Sequence, residues 1–184
     1  MKILIVRHGK TEWNKDKKAA GLADIGLNED GIEQAKELRD KLKDVDIDLI
    51  ISSPLKRALM TANIINEEHN KEIIIEQGAI ERNLGIYEGQ PNEQEIFNEI
   101  RYYTKNVPVE EEEDCRTYTK KVFNFLDETI KKYNGKITTL LIVTHGFFLR
   151  SANWYFNGLP KEPETVIRFK NCQVDEYDVQ KQNQ

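Results

Sequence analysis

The sequence predicts an α/β domain whose mostly parallel central sheet carries helices on both faces. Three observations support this prediction: the chain has 184 residues, its apolar residues gather in short β-branched runs, and amphipathic stretches lie between those runs. A chain of this length commonly forms one domain, and its core needs neither a disulfide nor a metal. We therefore expect residues 1–184 to form a single three-layer sandwich.

Four short apolar runs predict the strands, because runs rich in β-branched residues are typical of strands buried on both faces. They span residues 3–6, 49–51, 73–75 and 140–143. Stretches with apolar residues at helical spacing predict helices. These helices span residues 28–45, 54–65, 114–133 and 146–156, and residues 167–179 can add a last edge strand. We expect Ser53 to be the N-cap of the second helix, with Pro54 in its first turn.

The composition argues against several kinds of partner. No apolar run approaches the roughly 18 residues of a membrane span, and the N-terminal apolar run is too short for a signal-peptide core. The net charge of -5 argues against general affinity for nucleic acid, which needs clustered lysines and arginines. Cys115 and Cys172 are far apart and form no C-x-x-C pair, which fits a reducing compartment. We expect a cytoplasmic protein with no membrane or nucleic-acid partner.

Basic and polar residues follow three of the predicted strands, at the sheet edge where ligands of such folds bind. They are Arg7, His8 and Gly9 after the first strand, Arg57 after the second, and His145 and Gly146 after the fourth. The two arginines can supply forked donors that suit phosphate, and a glycine after each histidine lets the backbone approach a ligand. The sequence therefore predicts a local phosphate site in an acidic protein.

These residues belong to longer motifs that occur in a fixed order. The motifs span residues 6–14, 52–58, 81–89 and 144–146. Together they resemble the histidine phosphatase superfamily, which includes cofactor-dependent phosphoglycerate mutase and many small phosphatases. The resemblance covers nearly the whole chain. It implies a phosphoglycerate mutase-like fold and an enzyme that acts on phosphate esters.

The resemblance also implies a role for each residue. His8 is the expected nucleophile, which takes up the phosphoryl group as a phosphohistidine. Glu81 is the expected proton donor to the leaving oxygen, with Glu88 as an alternative. From the residues alone, Asn14 can instead cap a turn, and Arg57 can be a surface charge. No metal ion and no cofactor is implied. The phosphate is expected to bind Arg7, Gly9, Asn14, Arg57, Gly146 and His145, which also counts as catalytic.

A short segment at about residues 86–113 is expected to cover the site, and its brevity favours hydrolysis over mutase chemistry, which must exclude water. We expect a metal-independent phosphatase of the histidine acid type that acts on a small phosphorylated metabolite. Three alternatives stay open: a phosphoglycerate mutase primed by 2,3-bisphosphoglycerate, a phospho-ligand binding module without turnover, and a metal hydrolase with both histidines as ligands. The sequence is compatible with a homodimer but does not require one.

Overall fold

A computed structural model describes residues 1–92, 101–103, 113–162 and 164–179 of the chain. Within these ranges lie five strands, β1 (Lys2–Arg7), β2 (Leu49–Ser52), β3 (Ile73–Ile75), β4 (Thr139–Thr144) and β5 (Val174–Asp178). They form one sheet in the order β3-β2-β4-β1-β5. The first four run parallel, and β5 pairs antiparallel with β1 at one edge. The carboxyl ends of β1, β2 and β4 therefore meet at one edge of the sheet.

Helices cover both faces of this sheet. The described helices are α1 (Glu12–Lys15), α2 (Glu29–Leu42), α3 (Lys56–Asn66), α4 (Cys115–Tyr133) and α5 (Gly146–Asn157). Side chains alternate between the faces along each strand. Ile3 and Ile5 of β1 belong to the core that α4 and α5 complete, whereas Leu4 and Val6 belong to the core that α2 and α3 complete. The predicted three-layer α/β sandwich is confirmed.

The predicted strands and helices are present, with shifted ends. The α2 helix follows its N-cap Asn28 and ends at Leu42, earlier than predicted. The short α1 helix was not predicted, because its four residues are too few for a periodic pattern; Thr11 and Asn14 hold it in a capping box. The edge strand β5 occupies only part of the predicted stretch 167–179.

The prediction that Ser53 caps a helix is wrong. The N-cap of α3 is Leu55, which makes no capping bond with its side chain. Ser53 instead continues the sheet, since its backbone amide donates to the carbonyl of Val143 over 3.0 Å. This backbone pairing places the Ser53 hydroxyl at the edge of the sheet, 2.7 Å from Nε2 of His145.

Much of the segment expected to cover the site lies outside the described residues. Of the acidic residues 110–114, the structure describes Glu113 and Asp114. Asp114 caps α4 by accepting hydrogen bonds from the amides of Arg116 and Thr117. The described helices include none that combines the length and the apolar character of a membrane span.

Candidate active site

His8 lies directly after β1 and is 3% exposed. Its Nδ1 lies 2.7 Å from the carbonyl oxygen of Gly9, and its Nε2 lies 3.2 Å from Nε of Arg57. A guanidinium can only donate, so Nε2 must accept and Nδ1 must carry the ring proton. Burial lowers the pKa of His8 well below its ordinary value, and the charges of Arg57 and Arg7 lower it further. His8 is therefore a neutral imidazole with its lone pair on Nε2.

Arg57 stands in the first turn of α3 and is buried. Its two terminal nitrogens donate to the carbonyl oxygens of Ala23 and Gly21, each over 2.7 Å. Burial lowers the pKa of Arg57 to about 10, which leaves the group charged at neutral pH. The loop after α1 thus fixes a charged guanidinium against the nucleophilic nitrogen of His8, and Arg57 is not a surface charge.

His145 follows β4 and is fully buried. Its ring centroid lies 5.2 Å from that of His8, and its Nε2 contacts the hydroxyl of Ser53. In the described part of the chain, its Nδ1 is buried without a hydrogen-bond partner. Burial, together with the charge of Arg57, lowers the pKa of His145 well below its ordinary value. A second neutral imidazole therefore faces the first.

Arg7 and the start of α5 complete this end of the site. One terminal nitrogen of Arg7 donates to the carbonyl oxygen of Phe169. Its Nε is buried and has no hydrogen-bond partner among the described residues. Gly146 lies beside it, since a Cβ built on Gly146 would be 3.7 Å from that nitrogen. A helix N-terminus carries partial positive charge, so the start of α5 and the guanidinium of Arg7 together suit an anion.

Glu81 lines the same cavity and is 9% exposed. Its carboxylate accepts hydrogen bonds from the backbone amides of Arg82 at 2.9 Å and Phe147 at 3.4 Å. Burial raises the pKa of Glu81 in spite of the nearby arginines. Glu88, the alternative proton donor, instead accepts from the backbone amide of Leu22 at 2.7 Å and ties two loops together. The geometry therefore favours Glu81.

Gly9 is a predicted phosphate-binding residue, but it is not among the described residues that line the cavity. Its amide donates to the hydroxyl of Thr61 over 3.0 Å, so it is already engaged. The glycine is needed for packing instead, since a Cβ at this position would lie 2.5 Å from the carbonyl oxygen of Gly31. Asn14 fits both of its interpretations: its side-chain oxygen accepts from the amide of Thr11 at 3.1 Å, and the residue lines the cavity.

The cavity has a volume of about 250 Å³. The predicted residues that line it are Arg7, His8, Asn14, Arg57, Glu81 and Gly146. Sequence reasoning missed several others, namely Lys18, Arg101, Phe147, Arg150, Arg168 and Phe169. One signal could have found Arg150, because it lies four residues after Gly146 and so on the same face of a helix.

The described residues hold no group of three or more His, Cys, Asp or Glu side chains that could bind a metal ion. Metal independence stays a prediction. The neutral imidazole of His8, the buried carboxyl of Glu81 and several guanidinium groups line one small cavity. His145 is not part of this lining; its imidazole lies behind it, beside His8 and Ser53.

An α/β fold with arginines and imidazoles at the carboxyl edge of its sheet is typical of a protein that binds an anion such as a phosphate group. The profile of the histidine phosphatase superfamily (branch 1) matches residues 3–184. The chain belongs to this superfamily, and the family predicted from its motifs is confirmed.

Three similar proteins illustrate the range of the family. The uncharacterized phosphatase PhoE of Bacillus subtilis (strain 168) is 37% identical over 170 residues, which are 92% of this chain and 84% of PhoE. The probable phosphoglycerate mutase GpmB of Yersinia pestis (strain Pestoides F) is 28% identical and covers 98% of this chain and 86% of its own. A mutant phosphoserine phosphatase from Entamoeba histolytica, solved in complex with phosphoserine, superposes with a TM-score of 0.82. It is 28% identical, and the match covers 98% of this chain and 91% of that one.

Proposed function

We propose that this protein is a phosphomonoester hydrolase that works through a phosphohistidine on His8. The observation that carries the proposal is the assigned tautomer: the lone pair of a buried, neutral His8 lies on Nε2, beside a charged guanidinium. Nε2 attacks phosphorus, the N–P bond forms and the P–O bond to the leaving group breaks. Water then attacks phosphorus, the N–P bond breaks, and inorganic phosphate leaves.

The cationic groups hold the phosphoryl oxygens during both steps. Arg57, whose Nε–H now donates to His8, turns this donor to a phosphoryl oxygen once Nε2 bonds phosphorus. Nε of Arg7 and Nδ1 of His145, which have no hydrogen-bond partner among the described residues, supply two more donors. Phosphoryl transfer depends chiefly on positioning and on electrostatic stabilisation, so this arrangement can lower the barrier without a metal ion.

Glu81 completes the proton balance. In the first step its carboxyl gives a proton to the leaving oxygen, and in the second its carboxylate takes one from the attacking water. A raised pKa suits a group that must be protonated at the start of the cycle. A binding module without turnover has no need for such a carboxyl.

The comparisons support hydrolysis over the mutase reaction. The relative named as a phosphatase is 37% identical, and the relative named as a probable mutase is 28% identical. The second value still makes the mutase a real alternative. A mutase would convert 3-phosphoglycerate to 2-phosphoglycerate in a reaction that depends on 2,3-bisphosphoglycerate and releases no phosphate.

The experiment measures phosphate release from p-nitrophenyl phosphate and from a panel of phosphorylated metabolites, with EDTA present. It compares the intact protein with His8→Ala and with His69→Ala, which removes the one histidine outside the site. We expect EDTA-resistant release that His8→Ala abolishes and His69→Ala retains. Release by a folded His8→Ala protein, or release that EDTA stops, would overturn the proposed mechanism. Primed interconversion of phosphoglycerates without release would establish the mutase.

A further inference from the structure

The cavity carries more positive charge than one phosphate group needs. Arg7 and Arg57 lie at the phosphate end, next to His8. Four more cationic residues also line the cavity, namely Lys18, Arg101, Arg150 and Arg168. Among the described residues of the lining, Glu81 is the one carboxylate. Positive charge gathered in a small, partly dry space is unfavourable unless an anion compensates it.

Arg150 is the most informative of these four residues. It is 6% exposed, and its Nε and Nη2 donate to the carbonyl oxygen of Ile167 at 3.2 and 2.9 Å. Its guanidinium lies over the ring of Phe147, 4.9 Å from the centroid. The remaining nitrogen, Nη1, is buried and has no hydrogen-bond partner within the described ranges. The guanidinium is thus fixed on one side and unsatisfied on the other.

No carboxylate forms an ion pair with Arg150 among the described salt bridges. Burial lowers the pKa of Arg150 to about 10, and its neighbours act in both directions: Cys115 and Glu81 raise this pKa, whereas Arg101 and Arg82 lower it. Buried charges in proteins are normally paired, because an unpaired one loses its hydration without compensation. A buried arginine that lines a cavity with a free donor is therefore built to receive an anion from outside the chain.

The position of Arg150 separates it from the phosphate end. It lies four residues beyond Gly146 in α5, and at 1.5 Å per residue this is about 6 Å along the helix axis. Gly146 itself lies against Arg7. A short carbon chain spans such a distance, and a cavity of about 250 Å³ suits a small ligand.

We propose that Arg150 anchors a second anion subsite, so that the substrate is a small phosphomonoester carrying a further oxyanion, either a carboxylate or a second phosphate. This inference rests on the proposed function for the placement of the reacting phosphate at His8. The guanidinium fork can donate to both kinds of oxyanion, and Nη1 supplies a donor that the described residues leave unused.

The test compares ligands that differ only in the second anion. Phosphoserine and phosphoethanolamine differ by a carboxylate, and fructose 1,6-bisphosphate and fructose 6-phosphate differ by a phosphate. Calorimetric titration of the His8→Ala protein measures binding without turnover, and kcat/KM of the intact protein gives a second readout. We expect one pair to show a preference of roughly 10- to 100-fold for the doubly anionic member, as for one charge-assisted hydrogen bond. Which pair shows it identifies the second anion. Equal affinities within both pairs, or no binding of any of the four, would overturn the subsite.

Variants assign the preference to Arg150. Arg150→Gln should remove most of the preference while phosphoethanolamine binding changes little, and Arg150→Lys should restore part of it. Arg39→Gln, an arginine on α2 outside the cavity, is the control and should keep the preference. If Arg150 only supports the fold, Arg150→Gln will lower the melting temperature and weaken both ligands of a pair alike. A preference without any turnover would contradict the proposed hydrolysis and leave the subsite standing.

Discussion

Replacing Ser53 with alanine should slow catalysis far more than it weakens substrate binding. The Ser53 hydroxyl lies 2.7 Å from Nε2 of His145 in a buried site. When that hydroxyl donates to Nε2, the ring proton stays on Nδ1, the nitrogen with no hydrogen-bond partner in the part of the chain described. Alanine removes this constraint, so the ring can place its proton on the other nitrogen and lose the donor that we assign to the phosphoryl group.

The structure sets the size of both effects. Loss of one preorganised donor in a reaction of this kind costs roughly 10²- to 10³-fold in kcat. The imidazole of His145 stays in Ser53→Ala and can still adopt the productive tautomer part of the time, so we expect roughly 10- to 100-fold. The buried Nε2 also loses its partner, which destabilises the fold by about 1–3 kcal/mol. For a chain of this length, the melting temperature falls by roughly 2–4 °C for each kcal/mol.

Ser52→Ala is the matched control. Ser52 is the adjacent buried serine, and its hydroxyl donates to the carbonyl oxygen of Ser53 over 2.9 Å. Its loss removes one buried hydrogen bond without touching His145. Steady-state kcat and KM on p-nitrophenyl phosphate and thermal unfolding are measured for both variants. An equal loss of kcat in the two variants, or a loss confined to KM, would refute the argument that Ser53 positions the ring.

Three further predictions follow from the same geometry. Glu81→Gln should reduce kcat/KM by roughly 10²- to 10⁴-fold on phenyl phosphate but much less on p-nitrophenyl phosphate, whose leaving group needs little protonation; equal losses on both would exclude Glu81 as the acid. The folded pKa values of His8 and His145 lie well below 6.5, so only the unfolded chain gains protons just below that pH. Each histidine should therefore lower the free energy of unfolding as the pH falls, with a slope that rises from about 0.7 kcal/mol per pH unit at pH 6.5 towards about 1.4 at roughly one unit lower, and urea unfolding that shows constant stability there would contradict this. Gly31→Ala should destabilise the fold by about 1–3 kcal/mol, since its Cβ would lie 2.0 Å from a backbone carbonyl oxygen. The control is Gly26→Ala, whose Cβ would lie 3.1 Å from the flexible side chain of Met60. Chemical denaturation measures the free energy of unfolding of both variants.

The residues at the strand ends could be predicted because topology alone brings them together. His8 and His145 follow neighbouring parallel strands, and a sheet of this kind gathers such residues at one edge. The prediction for Ser53 was wrong because a serine followed by proline is typical of a helix start, and the sequence does not show that the backbone of Ser53 still pairs with the sheet. The amide of Gly9 donates to the hydroxyl of Thr61, which only tertiary packing brings to it, and its predicted role at the phosphate stays a prediction. Local patterns thus locate a residue, but they do not show which of its atoms are still available.

Four cationic residues of the cavity, Lys18, Arg101, Arg150 and Arg168, could not be predicted from the same strand-end pattern. Arg150 stands one turn into α5, where its spacing from Gly146 is the one sequence signal for it, and Arg101 and Arg168 lie outside the described helices and strands. The residues that we propose to act on phosphate stand at strand ends, whereas those that we propose to contact the rest of the ligand stand on a helix and on loops. Such segments vary more easily than a sheet edge without loss of the fold. A chain with a net charge of -5 that still lines one cavity with cations concentrates its attraction for anions there. If the proposed hydrolysis holds, we expect the arrangement of Lys18, Arg101, Arg150 and Arg168 to select among phosphate esters.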